Sequence, residues 1–114
     1  MTHVKTVQLM FSGEFEILNS QRQCEQLLDA IVVTIGLTKL QSIHHHFKPQ
    51  GVSVVQLLAE SHIAIHTWPE KKQGYITITS CKFDALNEKT ITEILSQNNL
   101  QLTELLQVSG SATS

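Results

Sequence analysis

Alternating apolar and polar residues predict a strand close to the start of the chain. Val7, Leu9 and Phe11 share one face of the segment Val4–Phe11, as the two-residue period of a strand requires. The Ser12-Gly13 pair that follows is a turn signal. The first strand is therefore expected to have one apolar face.

A helical period follows and predicts a helix over Ser20–Ile35. Ser20 stands three residues before Gln23, which matches a capping box, and Gly36 suits the position just after a helix. The apolar residues that share one helical face are Cys24, Leu27, Leu28, Ile31 and Ile35.

Strand patterns dominate the rest of the chain. The β-rich segments are Lys39–Phe47, Val52–Ala59, His62–Trp68 and Tyr75–Cys81, with a turn at Pro49-Gln50-Gly51. A second helix is predicted over Asn87–Gln97 and a last strand over Leu102–Val108, whereas Ser109–Ser114 is predicted to be a loose tail.

This order of elements predicts an α+β fold. Runs of adjacent strands favour a mainly antiparallel sheet, and two helices can cover only one face of it in a two-layer sandwich. The other face must pack on something or expose apolar surface. A homodimer that joins the two sheets face to face is one solution.

Composition narrows the class of protein. With 114 residues, of which 41% are hydrophobic and 16% charged, the chain fits a single globular domain over residues 1–114. A net charge of −2 without any Lys/Arg cluster argues against nucleic-acid binding. No apolar run approaches the roughly 20 residues of a membrane span. The first residues lack a secretory signal, so we expect a cytoplasmic protein whose Cys24 and Cys81 are free thiols.

Strand alternation also indicates where chemistry could lie. Ile63 and Ile65 share one face of their strand, and His66 lies on the other. If the isoleucines of this strand and of Tyr75–Cys81 all face the helices, His66 and Cys81 lie together on the opposite face.

The segment Leu58–Glu70 reads Leu-Ala-Glu-Ser-His-Ile-Ala-Ile-His-Thr-Trp-Pro-Glu. It resembles the processing-site motif of the short bacterial and archaeal S-adenosylmethionine decarboxylase proenzymes, which depend on a pyruvoyl group. The resemblance continues through Phe47-x-Pro-x-Gly-Val-Ser53 and Cys81. The order of elements and the length also resemble the family, so we extend the expectation to the whole domain.

The resemblance implies a role for each matching residue. The chain would cleave itself between Glu60 and Ser61 into a β chain of residues 1–60 and an α chain of residues 61–114. Ser61 would become the pyruvoyl cofactor. The remaining roles would be processing for His66 and Ser53, proton donation for Cys81, ribose contact for Glu70 and adenine stacking for Phe47.

This chemistry makes physical sense by itself. Decarboxylation at Cα needs an electron sink, which is usually a borrowed cofactor. The Ser61 hydroxyl can attack the Glu60 carbonyl to give an ester, and removal of the Ser61 α-proton then splits the chain. The dehydroalanine left behind hydrolyses to a pyruvoyl ketone, which would form a Schiff base with the substrate amine. His66 is a suitable base.

One geometric requirement follows from strand alternation. Ser61 and His66 are five residues apart, so an uninterrupted strand would direct them to opposite faces. We therefore expect Ser61 at a turn or at a strand end, where a strained peptide bond can be prepared for attack.

Other interpretations of single residues stay open. Phe47 could be simple core packing, and Cys24 is expected in the core. A zinc site at His44, His45 and His46 is disfavoured because alternation separates His45 from its neighbours. A set of His62, His66 and Cys81 is weakened by its helix-type spacing on a strand. We expect no metal.

Two alternative functions also stay open. A pyruvoyl enzyme of the same fold could act on ornithine or arginine, since Thr77 and Lys82 replace the Asp and Gly that usually flank the family's cysteine. Phe47 and Glu70 argue against that alternative. A non-catalytic partner that regulates another subunit would remain uncleaved.

Overall fold

A computed structural model describes residues 2–81 and 87–112 of the chain, with side chains from 4 to 81 and from 87 to 110. The strands are β1 (Thr2–Ser12), β2 (Lys39–His46), β3 (Val52–Leu58), β4 (Ser61–Trp68), β5 (Gln73–Ser80) and β6 (Gln101–Ala112). The helices are α1 (Phe15–Leu18), α2 (Gln21–Ile35) and α3 (Glu88–Gln97), and a single 3₁₀ turn covers Pro69–Lys71. No helix in the described ranges is long and apolar enough to cross a membrane.

The six strands form one antiparallel sheet in the order β2-β3-β4-β5-β1-β6. α1 and α2 carry the chain from β1 in the interior of the sheet to β2 at the far edge. α3 returns it from β5 to β6 at the other edge. The predicted α+β class, with a mainly antiparallel sheet and two long helices, is confirmed.

The helix-covered face of the sheet holds the core. Ile63 and Ile65 of β4 pair with Ile78 and Ile76 of β5, and all four side chains are buried. The predicted apolar face of α2 is also buried, which confirms the helical period. Burial at this face offsets the poor helix propensity of the β-branched residues near the end of α2.

Both ends of α2 follow from its sequence. The Ser20 hydroxyl accepts a hydrogen bond from the Gln23 backbone N–H at 3.2 Å, which satisfies one of the free donors at the helix start. Gly36 ends the helix at φ 80°, where a side chain would be strained.

The opposite face of the sheet, which we call the open face, carries exposed apolar side chains. One group lies at the β2–β3 edge and the other on β6. The members are Ile43, Val55 and Leu57 in the first group and Leu106 and Val108 in the second.

The prediction of a loose tail is wrong for residues 109–112. These residues continue β6 and pair with β1, where Lys5 lies opposite Ser109 and Val4 opposite Gly110. Ladder hydrogen bonds come from the backbone, so small polar residues can extend a strand that already has a partner. Residues 113 and 114 lie outside the described part. The short helix α1 was not predicted.

Candidate active site

The predicted cleavage position lies in the tight turn of the β3–β4 hairpin. Leu58 and Ser61 pair across the strands, so Ala59 and Glu60 alone form the turn. Glu60 has φ 62°, a left-handed conformation that costs a residue with a side chain about 1–2 kcal/mol. Ser61 is the first residue of β4. The expectation that Ser61 lies at a strand end is therefore confirmed.

The Ser61 side chain faces neighbouring backbone and a shallow pocket. Its hydroxyl donates a hydrogen bond to the Thr79 carbonyl of β5. The pocket has a volume of about 480 Å³ and is lined by Val4, Glu60, Ser61, His62, Thr79, Ser80 and Cys81. Cys81 follows the end of β5 and is exposed. The structure thus brings together the predicted cleavage position, Ser61 and Cys81.

A second group of predicted residues lies at the other end of the same hairpin. Ser53 of β3 pairs with His66 of β4, and a hydrogen bond joins Ser53 Oγ to His66 Nδ1 at 2.5 Å. The His66 ring meets the Phe47 ring edge to face with 5.6 Å between centroids. Its other neighbour is the Trp68 ring at 4.5 Å. Nδ1 is thereby engaged in the contact with Ser53.

Glu70 belongs to this second group by its position. It lies in the 3₁₀ turn that directly follows β4, and its side chain is exposed. Phe47 is 39% exposed, and its contact with His66 puts its ring on the open face. The alternative of simple core packing for Phe47 is therefore wrong.

The two groups are far apart within one chain. Ser61 and His66 are separated by five residues of one continuous strand, or about 16 Å. Cys81 is six residues from Tyr75, the pairing partner of His66, or about 20 Å. The expectation that His66 and Cys81 lie together is not met within a protomer. Alternation gives the face of a side chain but not its position along the strand.

The histidine run alternates as predicted. His45 pairs with Ser53 on the open face, whereas His46 faces α1 and its Nε2 contacts Asn19 Oδ1 at 3.0 Å. His45 also meets the Phe47 ring at 4.5 Å. Within residues 2–81 and 87–112, no three His, Cys, Asp or Glu side chains are grouped as a metal site would need.

The second cysteine lies in the core, as predicted. Cys24 is 4% exposed, and burial raises the pKa of its thiol to about 12 because desolvation disfavours the thiolate. Both cysteines are free.

Sequence reasoning gave no role to Trp68, His45 or Thr79, each of which contacts a predicted site residue. Alternation does assign Trp68 to the face of His66, and His45 to the face of Ser53 through the hairpin register. No sequence signal indicates that the Thr79 carbonyl accepts from Ser61, because this contact depends on pairing between β4 and β5.

The residues at the turn fit a carbonyl group made in place from Ser61. Glu60 holds the preceding carbonyl in a strained turn, and the pocket beside Ser61 is open to solvent on the side of the exposed Cys81. A small amino-acid derivative could therefore reach the α-carbon of residue 61.

Comparison with known proteins gives a consistent result. The family model described as S-adenosylmethionine decarboxylase matches residues 6–107. A relative from Syntrophomonas wolfei, named S-adenosylmethionine decarboxylase proenzyme, is 31% identical in an alignment of 101 positions that covers 84% of this chain and 79% of the relative. A proenzyme of the same name from Methanococcus maripaludis is 36% identical over 99 residues, covering 87% of this chain and 81% of the relative.

A solved structure has the same fold. The crystal structure of the adenosylmethionine decarboxylase from Aquifex aeolicus VF5 superposes with a TM-score of 0.73. The match covers 96% of this chain and 88% of that chain at 24% sequence identity.

Proposed function

The chain belongs to the S-adenosylmethionine decarboxylase family, and from this premise we propose that it is a self-processing decarboxylase. It would convert S-adenosylmethionine to decarboxylated S-adenosylmethionine, the aminopropyl donor for spermidine, in the cytoplasm. The observation that carries the proposal is the position of Ser61. It follows a strained residue in a two-residue turn and faces a pocket shared with Cys81.

Processing would begin at this turn. The Ser61 hydroxyl attacks the Glu60 carbonyl carbon, the C–N bond breaks, and the amine of residue 61 is freed as the ester forms. A base then takes the Ser61 α-proton, and the bond between Cβ and Oγ of residue 61 breaks. The main-chain carboxylate of Glu60 is the leaving group. Water hydrolyses the remaining dehydroalanine, after tautomerisation, to a pyruvoyl group and ammonia. Relief of the left-handed strain at Glu60 favours the first step.

The base would come from a second protomer, because His66 of the same chain is about 16 Å away. We propose a homodimer in which the open faces pack together about a two-fold axis running across the strands. Such an axis reverses the strand direction, so the turn end of one protomer meets the His66 end of its partner. Each dimer would then hold two composite sites.

The surface of the open face supports this assembly. Its apolar side chains lie at the two lateral margins, on β2–β3 and on β6. A two-fold axis across the strands sets each margin against its own copy, which is the self-complementary contact of an isologous dimer. Aligned sheet packing of this kind is a common way to bury two sheet faces.

In the decarboxylation itself, the pyruvoyl carbonyl supplies the electron sink for the carbanion left by carbon dioxide. Cys81, beside the same pocket, would protonate the substrate α-carbon. Phe47 offers a ring face for adenine or for the sulfonium, and the Glu70 carboxylate would accept hydrogen bonds from the ribose hydroxyls.

An ornithine or arginine decarboxylase of the same family is the second candidate. Thr77, one of its two supporting positions, is half-buried on the open face, whereas Lys82 lies outside the described residues. Neither substrate carries a nucleobase for Phe47 to stack on, which favours S-adenosylmethionine.

Two measurements test the proposal. The intact mass of purified protein should show chains of residues 1–60 and 61–114, the second blocked by a pyruvoyl group. Labelled carbon dioxide should be released faster from carboxyl-labelled S-adenosylmethionine than from ornithine or arginine. An unchanged full-length chain after long incubation would favour a regulatory partner. Cleavage with faster release from ornithine or arginine would keep the cofactor and overturn the substrate.

A further inference from the structure

One side chain on the helix-covered side holds the turn between β2 and β3. The Asn19 Oδ1 atom accepts hydrogen bonds from the Gly51 backbone N–H at 2.9 Å and from His46 Nε2 at 3.0 Å. A backbone N–H can only donate, so this contact fixes which atom of the Asn19 amide faces the turn. His46 must then donate through Nε2. Asn19 therefore hydrogen-bonds to His46 and Gly51, the two end residues of the segment that carries Phe47.

A backbone hydrogen bond between its own residues also closes this turn. The Phe47 N–H donates to the Gly51 carbonyl at 2.8 Å. Gly51 has φ 111°, and a Cβ atom there would lie 3.3 Å from the Thr67 carbonyl. The turn therefore depends on Gly51, and Asn19 binds the N–H of that residue.

The neighbouring residue is held by a different side chain. The Val52 N–H donates to Thr67 Oγ1 at 3.0 Å, and this hydroxyl donates to the Leu18 carbonyl at 2.7 Å. Thr67 thus anchors the start of β3, which leads to Ser53. The Phe47 side of the turn and the Ser53 side have separate anchors.

We propose that Asn19 is a positioning residue for substrate binding. By fixing residues 46–51 it holds the Phe47 ring beside His66, where the substrate base would stack. The inference rests on the proposed function, because stacking on Phe47 matters only for a substrate with a base. Self-cleavage depends on Ser61, Ser53 and His66, so it should not require Asn19.

Three variants separate positioning from stability. Asn19→Leu removes both acceptor contacts with the same branching and number of non-hydrogen atoms, and Asn19→Asp keeps an acceptor oxygen. Ser20→Ala is the matched control, because it removes the cap of α2 one residue away without touching the turn. It should lower the melting temperature as a lost cap does.

Asn19→Leu should raise KM for S-adenosylmethionine about three- to tenfold, as for the loss of a hydrogen bond, with kcat and the self-cleavage rate near wild type. Asn19→Asp should restore KM, and Ser20→Ala should leave it unchanged. A KM that simply follows the melting temperature across the three variants would overturn the proposal.

Amide hydrogen exchange by NMR gives a readout without catalysis. The Gly51 and Phe47 amides should exchange faster in Asn19→Leu than in Ser20→Ala or wild type. Unchanged exchange would show that Asn19 does not hold the β2–β3 turn. Faster exchange with unchanged KM would show that Asn19 has no role in substrate binding. If the wild type releases no carbon dioxide, the proposed function fails. The exchange rates still show whether Asn19 holds the β2–β3 turn.

Discussion

The two ends of the β3–β4 hairpin carry different groups of the predicted site residues. At the turn end stand the strained Glu60, the proposed nucleophile Ser61 and the exposed Cys81. At the other end stand the hydrogen-bonded pair of Ser53 and His66 and a set of rings that includes Phe47. Under the proposed function, the first end would break and make bonds, and the second would bind the adenine base and move protons.

This contrast shows that a motif continuous in sequence need not form one continuous site. Ser61 and His66 are five residues apart in the chain, yet the stiffness of a strand holds them about 16 Å apart. In the proposed two-fold dimer, each end would meet the opposite end of the partner. Variants at each end, alone and in combination, can show whether the two ends act together and what each contributes.

The largest effect should come from complementation between the two ends. Ser61→Ala and His66→Ala should each stay largely uncleaved and inactive alone. Mixed dimers, obtained by co-expression, join an intact Ser61 of one protomer to an intact His66 of the other. Random pairing should then restore about a quarter of the wild-type sites. Mass spectrometry should find cleavage only in the His66→Ala chain.

A control for complementation is co-expression of Ser61→Ala with Cys81→Ala. Both residues belong to the turn end, so every site of this mixed dimer lacks one of them. Carbon dioxide release should remain at the background level. Recovery in this control, or none in the first pair, would contradict a site shared between protomers.

Within the turn end, the second prediction concerns Cys81. Cys81→Ala should leave self-cleavage largely intact and lower kcat by on the order of 10²–10⁴-fold, the usual contribution of a general acid. Cys24→Ala removes the other thiol of the chain and should leave kcat near wild type. Multiple-turnover formation of decarboxylated S-adenosylmethionine measures both, because protonation follows the loss of carbon dioxide. Full activity in Cys81→Ala would remove this residue from the mechanism.

At the opposite end, the third prediction concerns Phe47. Phe47→Ala should raise KM for S-adenosylmethionine about tenfold, since stacking of a base on a ring is worth roughly 1–3 kcal/mol. Self-cleavage should proceed normally. Phe15→Ala is a matched control, because Phe15 is also 39% exposed and lies in α1. An equal rise in KM in both variants would show a general rather than a local effect.

The fourth prediction tests strain at the turn. Glu60→Gly should slow self-cleavage several-fold, because glycine adopts a left-handed conformation without the cost of about 1–2 kcal/mol. Lys72→Gly is the control, since Lys72 also has a positive φ, of 54°, but lies in a turn away from Ser61. Its cleavage rate should equal that of the wild type. Equal rates in all three proteins would exclude strain as a driving force.

Sequence reasoning predicted the fold better than the site. Periods of two and 3.6 identified each strand and both long helices of the described residues, because most buried positions of β4, β5 and α2 are apolar. It also required Ser61 at a strand end. It missed residues 109–112 of β6, which are held by backbone bonds to β1 and carry no apolar signal.

Site residues were harder to assemble from the sequence. Alternation gave His66 and Cys81 a common face but could not measure their separation along the sheet. The contacts of Asn19 with the β2–β3 turn arise from packing of α1 against the sheet, and no local pattern indicates them. A single chain also gives no sign of the proposed composite site, because its two halves would meet only across a dimer.

The smallest effect on activity should come from Cys24, whose buried thiol should affect stability at high pH and not turnover, in contrast to Cys81. Burial raises the pKa of Cys24 from 9.0 to about 12, so the folded state keeps this thiol neutral where the unfolded state ionises. A raised pKa of this kind leaves stability unaffected below pH 9. Between pH 9 and 12 the thiol should lower the free energy of unfolding by about 1.4 kcal/mol per pH unit.

The free energy of unfolding, measured with urea, should therefore fall more steeply with pH above 9 in the wild type than in Cys24→Ala. The variant is less stable at pH 7 because it leaves a small cavity, so the slope and not the absolute value carries the test. Parallel slopes would show that Cys24 ionises equally in both states, contrary to its burial in the core.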